Sequence, residues 1–417
     1  MCAMDNIISV AKNPMLWLEF LAYKKEKQHI STQEEKEIEE YVYNKRFEFY
    51  CDLLEKNYFP IEIPEKKMIN KGGTGKKRVV YTFNDETVIF LKFIAFQLYK
   101  YDDYFMDNCY AFRRSCGVGD AIKRLKANKD IKKSYCLKMD ISNYFNSIDV
   151  NRLLVKLEFI KQNDTRLYEL FERILSQEFV FDNGVAVKDY HGAMAGMPLS
   201  PFFANVYLSN VDRKFMELGV EYYRYSDDIL IFAETDELLN EYKKILMQMI
   251  CDEGLTINPD KTQEIMPGEK IEFLGFYYEK GSIGISANAV MKVKRKIKRK
   301  SDALRRWQRK KGLSEDKAAK GFIRAINRIF YGRENESEFT WCRWFFPYIT
   351  TVNELKEIDS YVQEYIRYTV TGRHYKGNYK ISYQQLKNWG YRNLVNEYYN
   401  SKQNLNLTIK ALETQDK

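Results

Sequence analysis

Two adjacent acids at the tip of an apolar hairpin constrain this chain more than any other feature. Tyr225-Ser226-Asp227-Asp228 is bracketed by Tyr222, Tyr223, Ile229, Leu230, Ile231 and Phe232, so the flanks read as buried strands and the tetrapeptide as their turn. Acids in a turn ordinarily serve solvent and turn geometry. A third acid changes that reading: Asp140 closes another apolar run, Tyr135-Cys136-Leu137-Lys138-Met139, and a carboxylate ending a buried strand is costly unless something positive meets it. Strand-end carboxylates brought side by side repel one another unless divalent cations neutralise them. Two Mg2+ ions, or Mn2+ in their place, suit such oxygen ligands, and the chemistry they favour is phosphoryl transfer.

Around those strands the pattern alternates. Residues 1 to about 60 read as helical, with Ser31 and Glu34 at capping-box spacing. A hairpin follows, Lys66 to Lys71 returning from Lys76 to Phe83 through a glycine-rich turn, and it offers Lys67, Lys71, Lys76 and Arg78 as cations for a triphosphate; a solvated basic hairpin has the same composition. Gly75-Lys76 is no P-loop, because Asn70 stands at its first glycine and Lys77 where Ser or Thr must follow. Helices are expected near Val150 to Phe159, Pro201 to Leu218 and Asp236 to Glu253, with a last strand pair from Ile271 to Ile285. Strands and helices followed by a helical tail give an α+β core with an appended all-α region. At 417 residues two or three subdomains are expected.

The net charge of +9 is one block. Between Met291 and Lys311 twelve Lys or Arg face the single acid Asp302, making Lys294, Arg295, Lys298, Arg299, Arg305 and Arg306 candidate nucleic-acid ligands; a solvated helix face or a targeting signal would look alike. No stretch reaches the roughly twenty apolar residues of a membrane span. The residues after Met1 do not read as a signal peptide, and seven cysteines without a CxxC pair suggest neither zinc nor disulfides. A reduced cytosolic location without a membrane partner is therefore expected.

Six segments in order carry a resemblance. Cys109 to Asp120 (CYAFRRSCGVGD), Tyr135 to Asp149 (YCLKMDISNYFNSID), Gly196 to Leu208 (GMPLSPFFANVYL), YSDD, Gly254 to Thr262 (GLTINPDKT) and Ile271 to Phe276 (IEFLGF) resemble the fingers motif and motifs A to E of reverse transcriptases of the group II intron and retron lineage. The resemblance implies a right-hand polymerase fold: a helical N-terminal extension over 1–60, fingers over 61–135, palm over 136–285 and a basic helical thumb over 286–417. It also implies that Asp140, Asp227 and the Ile141 carbonyl ligate the metals and that Asp228 supports them. Lys67 and Arg78 would hold the triphosphate, Phe145 would exclude a ribose 2′-OH, Gly196 and Pro198 would border the nucleotide, and Lys261 would protonate pyrophosphate. An ordinary core aromatic and an ordinary turn lysine are the plainer readings of Phe145 and Lys261.

Two positions depart from the family pattern: Ala195 stands where glutamine is common, and Ala111 where glycine is usual. Three scattered histidines give no HNH or RNase H-like site. The whole looks like the unknown-group, defence-associated bacterial enzymes of the type 2 kind. That implies deoxynucleotide substrates, a structured non-coding RNA as template, a cDNA product and a part in antiphage defence. Alternatives are an untemplated or protein-primed DNA polymerase of the abortive-infection kind, an RNA-dependent RNA polymerase, which Phe145 disfavours, and a non-catalytic RNA-binding or splicing factor on the same fold.

Overall fold

The computed structural model describes residues 6–28, 30–56, 58, 62–70, 77–332 and 340–403. Lys71, Lys76 and the glycine-rich turn between them lie outside the described residues. Two compact units divide the chain, Met1–Glu269 and Lys270–Lys417, so the boundary falls ahead of the IEFLGF segment.

Two four-stranded sheets organise the first unit. One holds strands β1 (Glu65–Asn70), β2 (Lys77–Thr82), β4 (Phe179–Asp182) and β5 (Val185–Lys188) in the order β2-β1-β4-β5. In the other, β3 (Tyr135–Asp140) lies between β7 (Asp228–Ala233) and β8 (Gln263–Ile265), with β6 (Tyr222–Tyr225) at the outer edge of β7. Being central, β3 buries Cys136, Leu137 and Met139, which explains why it reads as a continuous apolar run rather than an alternating one.

The N-terminal helices belong to this unit's core. Trp17, on helix Pro14–Tyr23, stacks on Phe93 at 3.9 Å between ring centroids and donates its indole N–H to Ala11 O at 2.8 Å. Phe93 lies on helix Asp85–Gln97, which also buries Ile89, Phe90, Leu91 and Ile94. Ser31 caps helix Thr32–Tyr43 by accepting from Glu34 N at 3.1 Å.

Several expected elements change in detail. The helix expected over 201–218 is broken into Ser200–Tyr207 and Ser209–Glu217; Ser209 Oγ donates back to Val206 O at 2.8 Å, a bond that competes with helical geometry and bends it. The one near 150–159 likewise becomes Val150–Lys156 and Glu158–Asn163. Hairpin β4–β5 turns through Asn183 and Gly184, both with positive φ, as a two-residue loop matched to strand twist requires.

In the second unit the expected strand pair is three strands, β9 (Ile271–Phe273), β10 (Phe276–Glu279) and β11 (Ser282–Ile285), in the order β11-β10-β9. Positive φ at Leu274 with Gly275, and at Lys280 with Gly281, makes two tight turns where one was read. Helices Ala287–Lys311, Glu315–Tyr331 and Asn353–Thr371 follow. Helix Ala287–Lys311 buries Val290, Val293, Ile297 and Ser301, one stripe at helical spacing, and turns its cations outward. Among the described residues no helix is long and apolar enough to cross a membrane.

Candidate active site

The antiparallel register of β3 against β7 sets Asp140 directly opposite Asp228, and Ile141 N donates to Asp227 O at 3.2 Å. All three acids thus meet at one end of one sheet. They are brought there by a two-residue hairpin in which Ser226 takes φ 60 while Asp227 does not turn positive, the pattern of a type II′ turn, whose first position favours glycine. A serine held there carries backbone strain of about 1–3 kcal/mol.

The strain is held from behind by a buried ion pair. Arg224, fully buried, donates to both carboxylate oxygens of buried Asp212 at 2.6 and 2.5 Å, and from Nη1 to Ser226 O at 3.3 Å. Its backbone continues the lattice: Arg224 N donates to Asn108 O and Tyr110 N to Arg224 O, both at 2.9 Å.

Electrostatics follow from this crowding. Burial pushes the Asp228 carboxyl up to about 6, and repulsion from Asp227 and Asp140 adds to it. Asp227 is raised by burial first and by Asp140 after it, while Lys261 and Arg78 pull it back. Lys261 Nζ lies 2.5 Å from Asp140 Oδ2, and Asn258 Nδ2 reaches Asp140 Oδ1 at 3.3 Å. Asn258 N also donates to Asp140 O at 2.8 Å, so the 256–262 loop is laced onto the strand end. Among the described residues no three His, Cys, Asp or Glu side chains form a ready-made metal cage. The crowded carboxylates nevertheless require positive charge, and an all-oxygen donor set with one half-exposed lysine beside it fits hard divalent cations.

A cavity of about 680 Å³ is lined by Arg78, Phe145, Gly196 and Pro198, with Ile69, Val80, Phe112 and Ala195. Gly196 has φ 102, and a side chain there would press within 3.2 Å of Val80 Cβ and Tyr81 O. Tyr81 N donates to Ala195 O at 2.8 Å, which docks the Gly-Met-Pro turn on β2. Lys67 lies opposite Val80 and so shares the face of β1 and β2 that bears Arg78, with its ammonium 2.7 Å from Glu65. The far wall comes from the N-terminal helices, through Phe20, Tyr23 and Lys24.

Some neighbours of the site were not readable from residue types. Phe112, held at φ 56, lies between Phe145 (6.4 Å) and Tyr225 (5.8 Å) and joins the cavity to the acid hairpin. Arg113 is structural, tying Met106 O and Cys109 O at 2.9 and 3.1 Å.

In the second unit, Arg295, Lys298, Arg299 and Arg306 are exposed on helix Ala287–Lys311. Lys294 and Arg305 are engaged instead. Lys294 pairs with Glu357 at 2.6 Å, and Arg305 donates to Tyr368 O at 2.9 Å with its guanidinium over Gly372, whose φ of 76 favours glycine.

A family profile described as reverse transcriptase (RNA-dependent DNA polymerase) matches residues 65–278, just over half of the chain. The retron Ec86 reverse transcriptase of Escherichia coli is 23% identical over 175 residues, 41% of this chain and 51% of that protein. The group II intron-encoded protein LtrA of Lactococcus lactis subsp. cremoris is 29% identical over 154 residues, 37% of this chain and 25% of that protein. This chain therefore spans about half, or less, of the curated relatives it matches. Apo telomerase from Candida tropicalis overlays with a TM-score of 0.46 at 14% identity, over 84% of this chain and 64% of that one.

Proposed function

The chain belongs to the reverse transcriptase (RNA-dependent DNA polymerase) family, and on that premise we propose that it copies RNA into DNA at the Asp140, Asp227 and Asp228 cluster. The observation that carries the reading is the convergence of those acids at one sheet end, with Arg78 both felt by Asp227 and lining the adjoining cavity. The right-hand polymerase fold follows from the family. Within it, 1–60 serve as a helical extension, 61–135 as fingers, 136–285 as palm and 286–417 as thumb.

Reverse transcriptase domains generally use divalent ions; two Mg2+ or Mn2+ ions, held by Asp140, Asp227 and the Ile141 carbonyl with Asp228 beside them, would supply charge neutralisation for phosphoryl transfer. The protein's own groups do the rest. Arg78 and Lys67 bind the triphosphate of a deoxynucleotide. Phe145 closes the cavity against a 2′-hydroxyl, while the tight turn at Gly196 and Pro198 leaves backbone against the nucleotide. Lys261, which meets Asp140 at the strand end, carries a proton to the departing pyrophosphate.

The finer reading has a structured non-coding RNA as template, a cDNA product, and a role in antiphage defence in the cytosol. Motif resemblance supports it. A second reading, synthesis without a template, draws on Ala195, which brings only a methyl to the cavity at a position where glutamine is common in the family pattern. Purifying the protein with its native operon, then sequencing the RNA it retains and the DNA it makes, separates the two. Asp227→Ala is expected to abolish synthesis and retain RNA. Undiminished synthesis by that variant would remove the proposed centre.

A further inference from the structure

Three separate parts of the chain wall the cavity beside the acids. Arg78 and Val80 come from β2, Phe145 from the short helix Tyr144–Ser147, and Ala195, Gly196 and Pro198 from the turn ahead of helix Ser200–Tyr207. Their spacing decides what the cavity admits, and one side chain buried behind them touches all three parts. Asn146, 8% exposed, follows Phe145 in the chain; its Oδ1 accepts from Ala195 N at 2.8 Å, and its Nδ2 reaches Val79 O at 3.4 Å, between Arg78 and Val80. An amide suits this place because its acceptor and its donor are separate atoms, each able to face a different segment.

Further contacts close these three parts into a ring. Ala195 O accepts from Tyr81 N at 2.8 Å, which returns the turn to β2, and Phe145 O accepts from Ala193 N at 2.8 Å, which fixes the backbone that carries the Phe145 ring. Gly192 packs on that same backbone: a side chain there would begin 2.6 Å from Phe145 O and 2.7 Å from the carbonyl carbon of Asn146. Ala195 brings only a methyl to the cavity, so its place is set by its backbone, and Asn146 holds the N–H of that backbone.

We infer that Asn146 is the positioning residue of this cavity: it sets the Phe145 ring and the Arg78 strand at the distance from the 195–198 turn that fits a deoxynucleoside triphosphate and rejects its ribose counterpart. The inference rests on the proposed function, from which it takes the deoxynucleotide as substrate. Asn146 itself touches no substrate. The acid cluster is held separately, by the register of β3 on β7, so losing Asn146 bears on nucleotide capture and selection more than on the chemical step.

The test measures steady-state incorporation of dCTP and of CTP by the full-length protein on an RNA template annealed to a DNA primer. Asn146→Ala leaves the buried Ala195 N–H unpaired and is expected to raise KM for dCTP about ten-fold. The same variant should narrow the preference for dCTP over CTP in kcat/KM about ten-fold, with kcat for dCTP within about three-fold of wild type. Asn146→Asp keeps the acceptor for Ala195 N and should hold the preference within about three-fold of wild type. A variant that only folded less well would lower kcat for both nucleotides by its inactive fraction and leave KM and the preference where they were. Should Asn146→Ala not fold, Asn146→Ser, whose single hydroxyl cannot span both partners, is read in the same way. Unmoved KM and preference in the truncated variant, or an Asn146→Asp protein as impaired as it, overturns the inference. Wild-type protein that extends no primer with any deoxynucleotide would instead sink the polymerase reading itself.

Discussion

Replacing Arg224 with methionine tests how the acid hairpin is held. Arg224 and Asp212 are each fully buried and joined by two short hydrogen bonds. Without the guanidinium, Asp212 keeps the Tyr222 hydroxyl at 3.1 Å as a side-chain partner. Stranding one member of a buried pair costs about 3–5 kcal/mol, a large part of the roughly 5–15 kcal/mol that holds a domain folded. Arg224→Met/Asp212→Leu removes both charges, and apolar replacement of a whole buried pair is often neutral or better. The double variant is therefore expected to recover most of that loss. It does not recover the bond from Arg224 Nη1 to Ser226 O, so the turn that carries Asp227 loses its charged tether, a contact of about 1.5–3 kcal/mol. Hydrogen exchange of the β3 and β7 amides reads the stability, and primer extension reads the consequence. The single variant should lose protection by about 3–5 kcal/mol; the double should be protected nearly as wild type yet extend primers with a lowered kcat. A single variant within about 1 kcal/mol of wild type, or a double no better protected than the single, would refute this account of the pair.

Three further outcomes follow from the same geometry. Phe145→Ala should narrow the preference for dCTP over CTP by about ten- to two-hundred-fold in kcat/KM, and an unchanged ratio would show that another group excludes the 2′-hydroxyl. In metal-free buffer Asp228→Asn should stabilise the first unit. The fold raises this carboxyl from 3.8 to about 6 and so favours its protonated form. Stability is therefore lost as pH rises through that interval, and the Asn variant should gain up to about 3 kcal/mol at pH 7.5 and nothing below pH 4; denaturation in EDTA at both pH values checks the sign. Changing Arg295, Lys298, Arg299 and Arg306 together to glutamine should reduce the slope of log K against log salt for single-stranded RNA by about three. An unaltered slope would take that helix face out of the interface.

What could be read from the sequence depended on how local its cause was. The acid hairpin and β3 were legible because each is a short apolar run ended by a charge, and a two-residue loop leaves only one antiparallel partner for β6. Hairpin β4–β5 was equally local, with Asn183-Gly184 between the apolar flanks Phe179-Val180-Phe181 and Val185-Ala186-Val187 as its signal, and it was passed over although that signal is complete. The two-turn meander from β9 to β11 was compressed into one pair because Leu274 gives no sign of the positive φ it adopts.

The residues that position the acids follow a different rule. Arg224, read from its neighbours, is a lone charge in an apolar strand, and only the arrival of Asp212 from helix Ser209–Glu217 explains why it is buried. Lys261 meets Asp140 across 121 residues of sequence, so its partner was reachable through motif resemblance and not through spacing. Phe112 was legible as part of the fingers-motif segment but not as a neighbour of the acids, since its place between Phe145 and Tyr225 depends on a left-handed backbone that residue type disfavours. The acids are thus written in the local pattern, because a charge on a buried strand has to be explained where it stands. Their restraints are written in pairs, and a pair becomes visible only when the chain has brought its two halves together.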